Sequence, residues 1–185
     1  MNFRGNGNSE GALSHATITA GLEDMDVALE YIRGLPWVEH VGLCGNSYGG
    51  GLVFHEAAEH PEHKYKFLIL LSPRIDTKWR YEDDKDIDLE DWKQKEYIVV
   101  HGQQRHYSLY SDTLNYHPWE IAGNITIPTL IVHGDNDEVC PYDQSLRLHG
   151  LIKSSELETI KDGKHQYKER IGEVVEIVGK WLEKQ

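Results

Sequence analysis

Basic clusters, cysteine pairs and long apolar runs are all scarce in this sequence, and each shortage removes a class of function. Lysine and arginine number 19 against 31 acidic residues, a formal charge of −12. Phosphate backbones and anionic membranes attract basic surfaces, and no basic stripe interrupts the acidic balance, so neither nucleic acid nor membrane is expected as a partner. The longest unbroken apolar run, residues 67–71, has five residues, against the roughly 20 that cross a bilayer. Two cysteines in 185 residues make no disulfide framework, and residues 1–7 lack the apolar core of a signal peptide. A reducing, cytoplasmic setting is the expectation. Core-forming material, by contrast, is ample: 39% of residues are hydrophobic and 10% aromatic, enough to favour a packed domain over a disordered chain.

Ile18, Leu22, Met25, Leu29 and Ile32 recur at helical spacing and predict a helix ending near Gly34 and Pro36. Residues 38–44 read as a short buried strand that runs into Gly45-Asn46-Ser47-Tyr48-Gly49-Gly50-Gly51. A second helix, from about Tyr48 to Glu59, stops at Pro61. Residues 67–71 are apolar throughout and residues 129–133 repeat the pattern, the mark of strands covered by helices on both faces of a parallel sheet. A helix at 142–151, a strand at 157–160 and a closing helix follow, the last with Ile171, Val174, Val175, Val178, Trp181 and Leu182 on one face. This alternation predicts an α/β fold: a mostly parallel sheet with helices on both faces and right-handed crossovers.

The reading is of one domain, residues 1–185, carrying an insertion at about 74–126. An acidic run, 82–91, precedes an expected hairpin with arms at 97–100 and 105–110 turning at Gly102. Eight of the chain's 18 aromatic residues fall in this segment. It is too long for a plain connection and too aromatic for a linker, so it reads as a cap over the end of the sheet, an aromatic mini-core, or both.

Gly45-x-Ser47-x-Gly49 falls between a buried strand and a helix, where the pattern has mechanical meaning. A serine on so sharp a turn is forced into strained backbone angles, and the flanking glycines let strand and helix approach. The following helix aims its N-terminus at the same spot, so the backbone N–H of Tyr48 is placed to bind a developing oxyanion. A serine hydroxyl needs a base, and the base an orienting carboxylate. On such a sheet the partners come in the order serine, acid, histidine, each beyond a strand's carboxyl end. The acid is expected in the loop after residues 129–133, where Asp135 and Asp137 both qualify by position. Beyond that loop lie His149, inside a helical stretch, and His165, in a loop past the last strand; His165 is the better base.

Taken together, residues 2–11 (Asn-Phe-Arg-Gly-Asn-Gly-Asn-Ser-Glu-Gly), Gly45-Asn46-Ser47-Tyr48-Gly49-Gly50, residues 127–137 and Gly163-Lys164-His165 resemble the α/β-hydrolase superfamily. The likeness leans toward its small carboxylesterases: cinnamoyl or feruloyl esterases, monoacylglycerol lipases and serine aminopeptidase-like hydrolases. The resemblance implies a triad of Ser47, Asp137 and His165, with Asp135 a turn residue. It also implies that Asn46 replaces a histidine common in relatives. In that superfamily the stretch similar to residues 2–11 follows four strands and a helix. The expectation is thus an N-terminally short member, lacking the loop that gives the second oxyanion N–H, with an exposed sheet edge at 38–44 that pairs into a homo-oligomer.

Other signals carry less. Gly5-x-Gly7-x-x-x-Gly11 misses the dinucleotide fingerprint by one residue. His55 and His60 are five apart, not the four of a zinc-protease helix, and read as solvated helix-end residues. Asp84, Asp86 and Asp88 alternate as in a calcium loop but lack its glycine and closing glutamate. Cys44 and Cys140 read as small buried fillers. The functional expectation is a serine hydrolase that cleaves small aromatic or medium-chain carboxylic esters through an acyl-enzyme, with neither metal nor organic cofactor. Two other readings stand beside it: a peptidase or amidase with the same triad, and a catalytically silent interaction module.

Overall fold

All six residues of the segment Thr129–Gly134 are buried, which requires cover on both faces, and the chain supplies it. The computed structural model describes residues 1–100 and 102–185. In chain order the regular elements begin with helix α1 (Ile18–Arg33), strand β1 (Leu43–Asn46), helix α2 (Tyr48–Glu59) and strand β2 (Leu68–Leu71). Helices α3 (Thr77–Glu82) and α4 (Leu89–Lys95), strands β3 (Tyr97–Val100) and β4 (Gln103–His106), and the single turns α5 (Ser108–Ser111) and α6 (Pro118–Ile121) come next. Strand β5 (Thr129–Gly134), helix α7 (Tyr142–Leu151), strand β6 (Ser155–Ile160) and helix α8 (Ile171–Leu182) complete the chain. Two compact units result: Met1–Val38 with Asp76–His117, and Glu39–Ile75 with Pro118–Gln185.

The second unit holds a four-stranded sheet in the order β1-β2-β5-β6, every pair parallel. Ile69, Leu130, Val132 and Ile160 form one face of its core with Tyr167, Val174 and Trp181. Side chains alternate across a strand, so Leu68, Leu70 and Ile131, equally buried, point to the other face, where α2 packs along β1 and β2. This is the predicted α/β arrangement. Strand limits differ from the sequence expectation: β1 starts at Leu43 instead of residue 38, and β6 gains two residues at its start. In α8 the buried stripe is Val174 and Trp181, flanked by Ile177 and Val178, whereas Ile171 and Val175 are exposed.

The first unit is built differently. Thr17 caps α1, its hydroxyl accepting the Ala20 N–H at 3.1 Å. Arg4 grips Asp24 on that helix through Nε at 2.8 Å and Nη2 at 2.6 Å, and Thr19 Oγ1 donates to Asp112 at 2.5 Å. Trp92, fully buried, packs edge-on against Tyr81 and Tyr107, with Tyr110 and Leu109 completing the cluster. Its Nε1–H donates to the Arg105 carbonyl. Four aromatics of the inserted segment therefore form a mini-core. The hairpin's second arm runs Gln103–His106, two residues earlier than expected, because Gly102 at φ +74° turns the chain tightly. Within the acidic run, Asp88 accepts the N–H groups of Glu90 and Asp91 as the cap of α4, a structural use for a residue of the calcium-like pattern. Among the described residues no helix is long and apolar enough to cross a membrane.

Two glycines give opposite tests of this packing. A Cβ on Gly134 would lie 2.1 Å from the Gly163 carbonyl oxygen, where only backbone can yield, whereas Gly179 on α8 faces open space. Urea unfolding should show Gly134→Ala losing about 1–3 kcal/mol and Gly179→Ala gaining about 0.5–1 kcal/mol. Equal midpoints for the two variants would contradict the β5 packing described.

Candidate active site

Ser47 stands between β1 and α2 at φ +51°, ψ −116°, a conformation that costs a side-chain-bearing residue about 1–3 kcal/mol. Three backbone hydrogen bonds hold it there. Its N–H donates to the Leu71 carbonyl at 2.9 Å, and its carbonyl accepts from Gly51 at 3.1 Å and Arg74 at 2.9 Å. The glycines beside it are a steric requirement: a Cβ on Gly45 would sit 2.3 Å from the Gly49 oxygen, and one on Gly51 2.3 Å from the Arg74 oxygen. Asn46 donates from its side chain to the Leu71 carbonyl at 3.1 Å. Tyr48 opens α2, which puts its N–H at the positive end of that helix beside the serine.

His165 lies in the loop between β6 and α8. Its Nε2 is 2.8 Å from Ser47 Oγ and its Nδ1 is 2.8 Å from Asp137 Oδ2. A carboxylate only accepts, so Nδ1 carries the proton and donates, and the Nε2 lone pair faces the serine hydroxyl. Of the two acids left open by position, Asp137 meets the histidine. Asp135 instead ties two loops together, accepting the Asp162 N–H at 2.6 Å and pairing with Lys161 at 3.1 Å. His149 is at the surface, 2.8 Å from Ser155 Oγ. The structure thus brings Ser47, Asp137, His165 and the head of α2 at Tyr48 to one place.

Asp137 has no exposed side-chain surface. Burial by itself would raise its pKa, but hydrogen bonds from His133, His165 and the N–H groups of Cys140 and Val139 outweigh it, holding the carboxyl well below the usual range. His133 was not singled out by the sequence. Its Nε2 lies 3.1 Å from both Asp137 Oδ2 and the Cys140 carbonyl. Facing two acceptors, that nitrogen carries the proton, and Nδ1 accepts the Ser145 hydroxyl at 2.6 Å. One neutral tautomer satisfies all three contacts. The available signal was a lone imidazole inside an otherwise apolar strand, four residues before the acid.

Two more residues support the site without any motif to announce them. Tyr167 donates to the Val132 carbonyl at 2.8 Å and accepts from Ser72 Oγ at 2.7 Å, which pins the His165 loop to the sheet. Burial pushes its phenol up to about 12, so it remains a donor. Cys140 is buried, as expected, and its thiol also feels the Ser47 hydroxyl and the Arg74 side chain electrostatically. Burial pushes that thiol's pKa up, and it remains protonated. Cys44, in contrast with the expectation, is exposed. A cavity of about 490 Å³ opens beside His165, lined by Glu138, Val139, Lys164, Gln166 and Tyr167 among others.

Among the described residues, the group able to hold a metal is His60, Glu62 and His63, whose ligand atoms lie within 4.8 Å of one another. It follows the C-terminal end of α2, about 18 Å along that helix from Ser47. His55, expected at a solvated helix end, is 2% exposed, with Glu59 2.8 Å from its Nδ1.

A parallel sheet whose strand-to-helix turn strains a serine toward a loop histidine defines an α/β hydrolase. More narrowly, residues 2–185 match the prolyl oligopeptidase family, and the chain belongs to it. A mouse protein, the mitochondrial palmitoyl-protein thioesterase ABHD10, is 25% identical over 179 residues, covering 92% of this chain and 59% of that protein. The bovine counterpart is 24% identical and 57% covered; the chain spans under two thirds of these relatives. Among solved structures, Est1E from Butyrivibrio proteoclasticus with bound ferulic acid superposes at a TM-score of 0.91, with 24% identity over all of this chain and 75% of that one. Mouse ABHD10 gives 0.75 with 23% identity, covering 98% and 76%. A monoacylglycerol lipase from Paleococcus ferrophilus gives 0.63 with 20% identity, covering 88% and 72%. At these identities the structural likenesses speak to the fold.

A carboxyl held below its unfolded-state value, about 3.9 for aspartate, stabilises the fold fully above that range and loses the contribution as pH falls. Unfolding free energy measured between pH 7 and pH 3 should therefore decline below about pH 5, and the decline should be shallower in Asp137→Asn. Parallel curves for the two proteins would refute the assignment of Asp137 as the four-donor carboxylate.

Proposed function

We propose that this hydrolase cleaves carboxylic esters through an acyl-enzyme on Ser47. The observation that carries the reading is the hydrogen-bonded chain Ser47–His165–Asp137, at 2.8 Å for each link. Ser47 Oγ attacks the ester carbonyl carbon while its proton passes to His165 Nε2. The carbonyl oxygen becomes an oxyanion and accepts the Tyr48 N–H. Collapse of this intermediate breaks the carbon–oxygen bond to the alcohol, which leaves with the proton from His165. Water, deprotonated by the same nitrogen, then attacks the acyl-serine and releases the acid. Asp137 holds the imidazole in the tautomer that leaves Nε2 free and stabilises the cation formed in each half-reaction; His133 and two backbone N–H groups keep that carboxylate in place. No step requires a metal or organic cofactor.

Small aromatic or medium-chain acyl groups are the proposed substrates, supported by the ferulic acid in the similar esterase structure. The thioesterase relatives fit the same route with a thiol as the leaving group. A second reading, peptide or amide cleavage by the same three residues, is favoured by the family match. It differs in the leaving group: an amine must be protonated before it departs, so the reaction leans harder on His165 as an acid. An interaction module with a silent site is the reading from outside enzymology.

Fluorophosphonate labelling read by intact mass separates these possibilities. One adduct on the wild-type chain and none on Ser47→Ala is the expected result, together with ester turnover that drops by at least about 10³-fold in Ser47→Ala and in His165→Ala. Folded wild-type protein with no adduct would overturn the esterase reading in favour of the silent module. Matched 4-nitrophenyl esters and 4-nitroanilides decide the bond: hydrolysis of the anilide at a rate comparable to the ester would move the assignment to a peptidase.

A further inference from the structure

Arg74 follows β2 as Ser72-Pro73-Arg74, and its backbone N–H is bound to the Ser47 carbonyl at 2.9 Å. Gly50 packs so closely beneath Pro73 that a Cβ there would touch it at 3.0 Å, so the Cα of Arg74 is fixed relative to the serine. The guanidinium and the Ser47 hydroxyl both act electrostatically on the buried Cys140 thiol, so the three groups share one neighbourhood.

Among the described residues the guanidinium has no counter-ion. Its Nε is buried and has no hydrogen-bond partner among the described residues. Arg4, Arg80 and Arg170 each have a carboxylate within ion-pair distance. Arg74 has none among the described residues, in a chain where acidic side chains outnumber basic ones by 31 to 19. The neighbouring thiol is neutral and cannot balance a charge. A half-buried cation left unpaired is costly unless something charged arrives to pair with it, and the arginine fork matches a carboxylate's two oxygens.

We propose that Arg74 is the recognition residue for a carboxylate carried by the substrate, so that the preferred esters bear a negative charge a few bonds from the scissile carbonyl. This rests on the esterase reading and narrows it to half-esters of short diacids, or acyl esters of hydroxy acids. The anion neutralises Arg74 on binding, and the fixed loop then sets the distance between that anchor and the carbonyl offered to Ser47.

The test compares ethyl hydrogen glutarate and ethyl hydrogen adipate with ethyl pentanoate and ethyl hexanoate, and acetoxyacetate with ethyl acetate, by pH-stat. Wild-type protein should favour at least one anionic ester over its neutral match by tenfold or more in kcat/KM, mainly through KM. In Arg74→Met, which keeps an unbranched stem, that ratio should fall to one or below; Arg74→Lys should keep part of it. Because the ratio is taken within each protein, a general loss of activity cancels. Free glutarate or adipate should also slow fluorophosphonate labelling of the wild type and not of Arg74→Met. A wild-type preference for the neutral esters, or an anion preference that survives in Arg74→Met, overturns the assignment while leaving the esterase reading intact. Failure of Ser47 to label or to turn over any ester overturns the esterase reading, and the Arg74 assignment falls with it.

Discussion

The strained backbone of Ser47 is the constraint to which the rest of the site answers. Holding a serine at positive φ is unfavourable, and it persists because β2, α2 and the segment after β2 each contribute a hydrogen bond to that one residue. The same requirement explains the glycines at 45, 50 and 51, since backbone from neighbouring turns occupies the space where their side chains would go. It also places Arg74, whose N–H is one of the three restraints, beside the serine whatever its side chain does. Sheet order matters for the same reason: with β2 between β1 and β5, the turn of Ser47 and the loop of Asp137 open on the same end of the sheet.

Asp137 is the second fixed point. A buried carboxylate is tolerated only when its lone pairs are filled, and here two imidazoles and two backbone N–H groups fill them. The division of labour between the two imidazoles follows from their other contacts. His165 has a hydroxyl on its far nitrogen and is partly exposed. His133 is locked between β5 and α7 by Ser145 and has no exposed side-chain surface. Tyr167 and Asp135 do mechanical work at longer range, binding the loop of His165 to the sheet and to the loop that carries Asp137.

Local signals carried much of this. The sheet's buried strands, the helix limits of α2 and α7, and the strand–turn–helix setting of Ser47 follow from apolar patterning and from glycine spacing, which act through neighbours a few residues apart. Chain order narrowed the base to His165. Choosing between Asp135 and Asp137 from residues alone was not possible, because both sit in one polar loop and only the reach of a side chain across to the β6 loop separates them. The inserted segment was legible as aromatic and acidic but not in its use of those residues: Trp92 became a core residue through Tyr81, Tyr107 and Tyr110, and Asp88 became a helix cap.

By itself the sequence determined the α/β class, the strained serine turn and the order of its partners, because periodicity, glycine placement and chain order are local properties of a polypeptide. Only the tertiary structure decided that His133 doubles the support of Asp137, that the Cys140 thiol lies within the electrostatic reach of the serine hydroxyl, and that Arg74 has no carboxylate partner among the described residues. The last two depend on residues 66 and 93 positions apart coming together, and the first on a β5 side chain turning back onto the loop that follows the strand. The charge balance of a buried group is set by everything that surrounds it in space, a sum that no stretch of sequence contains.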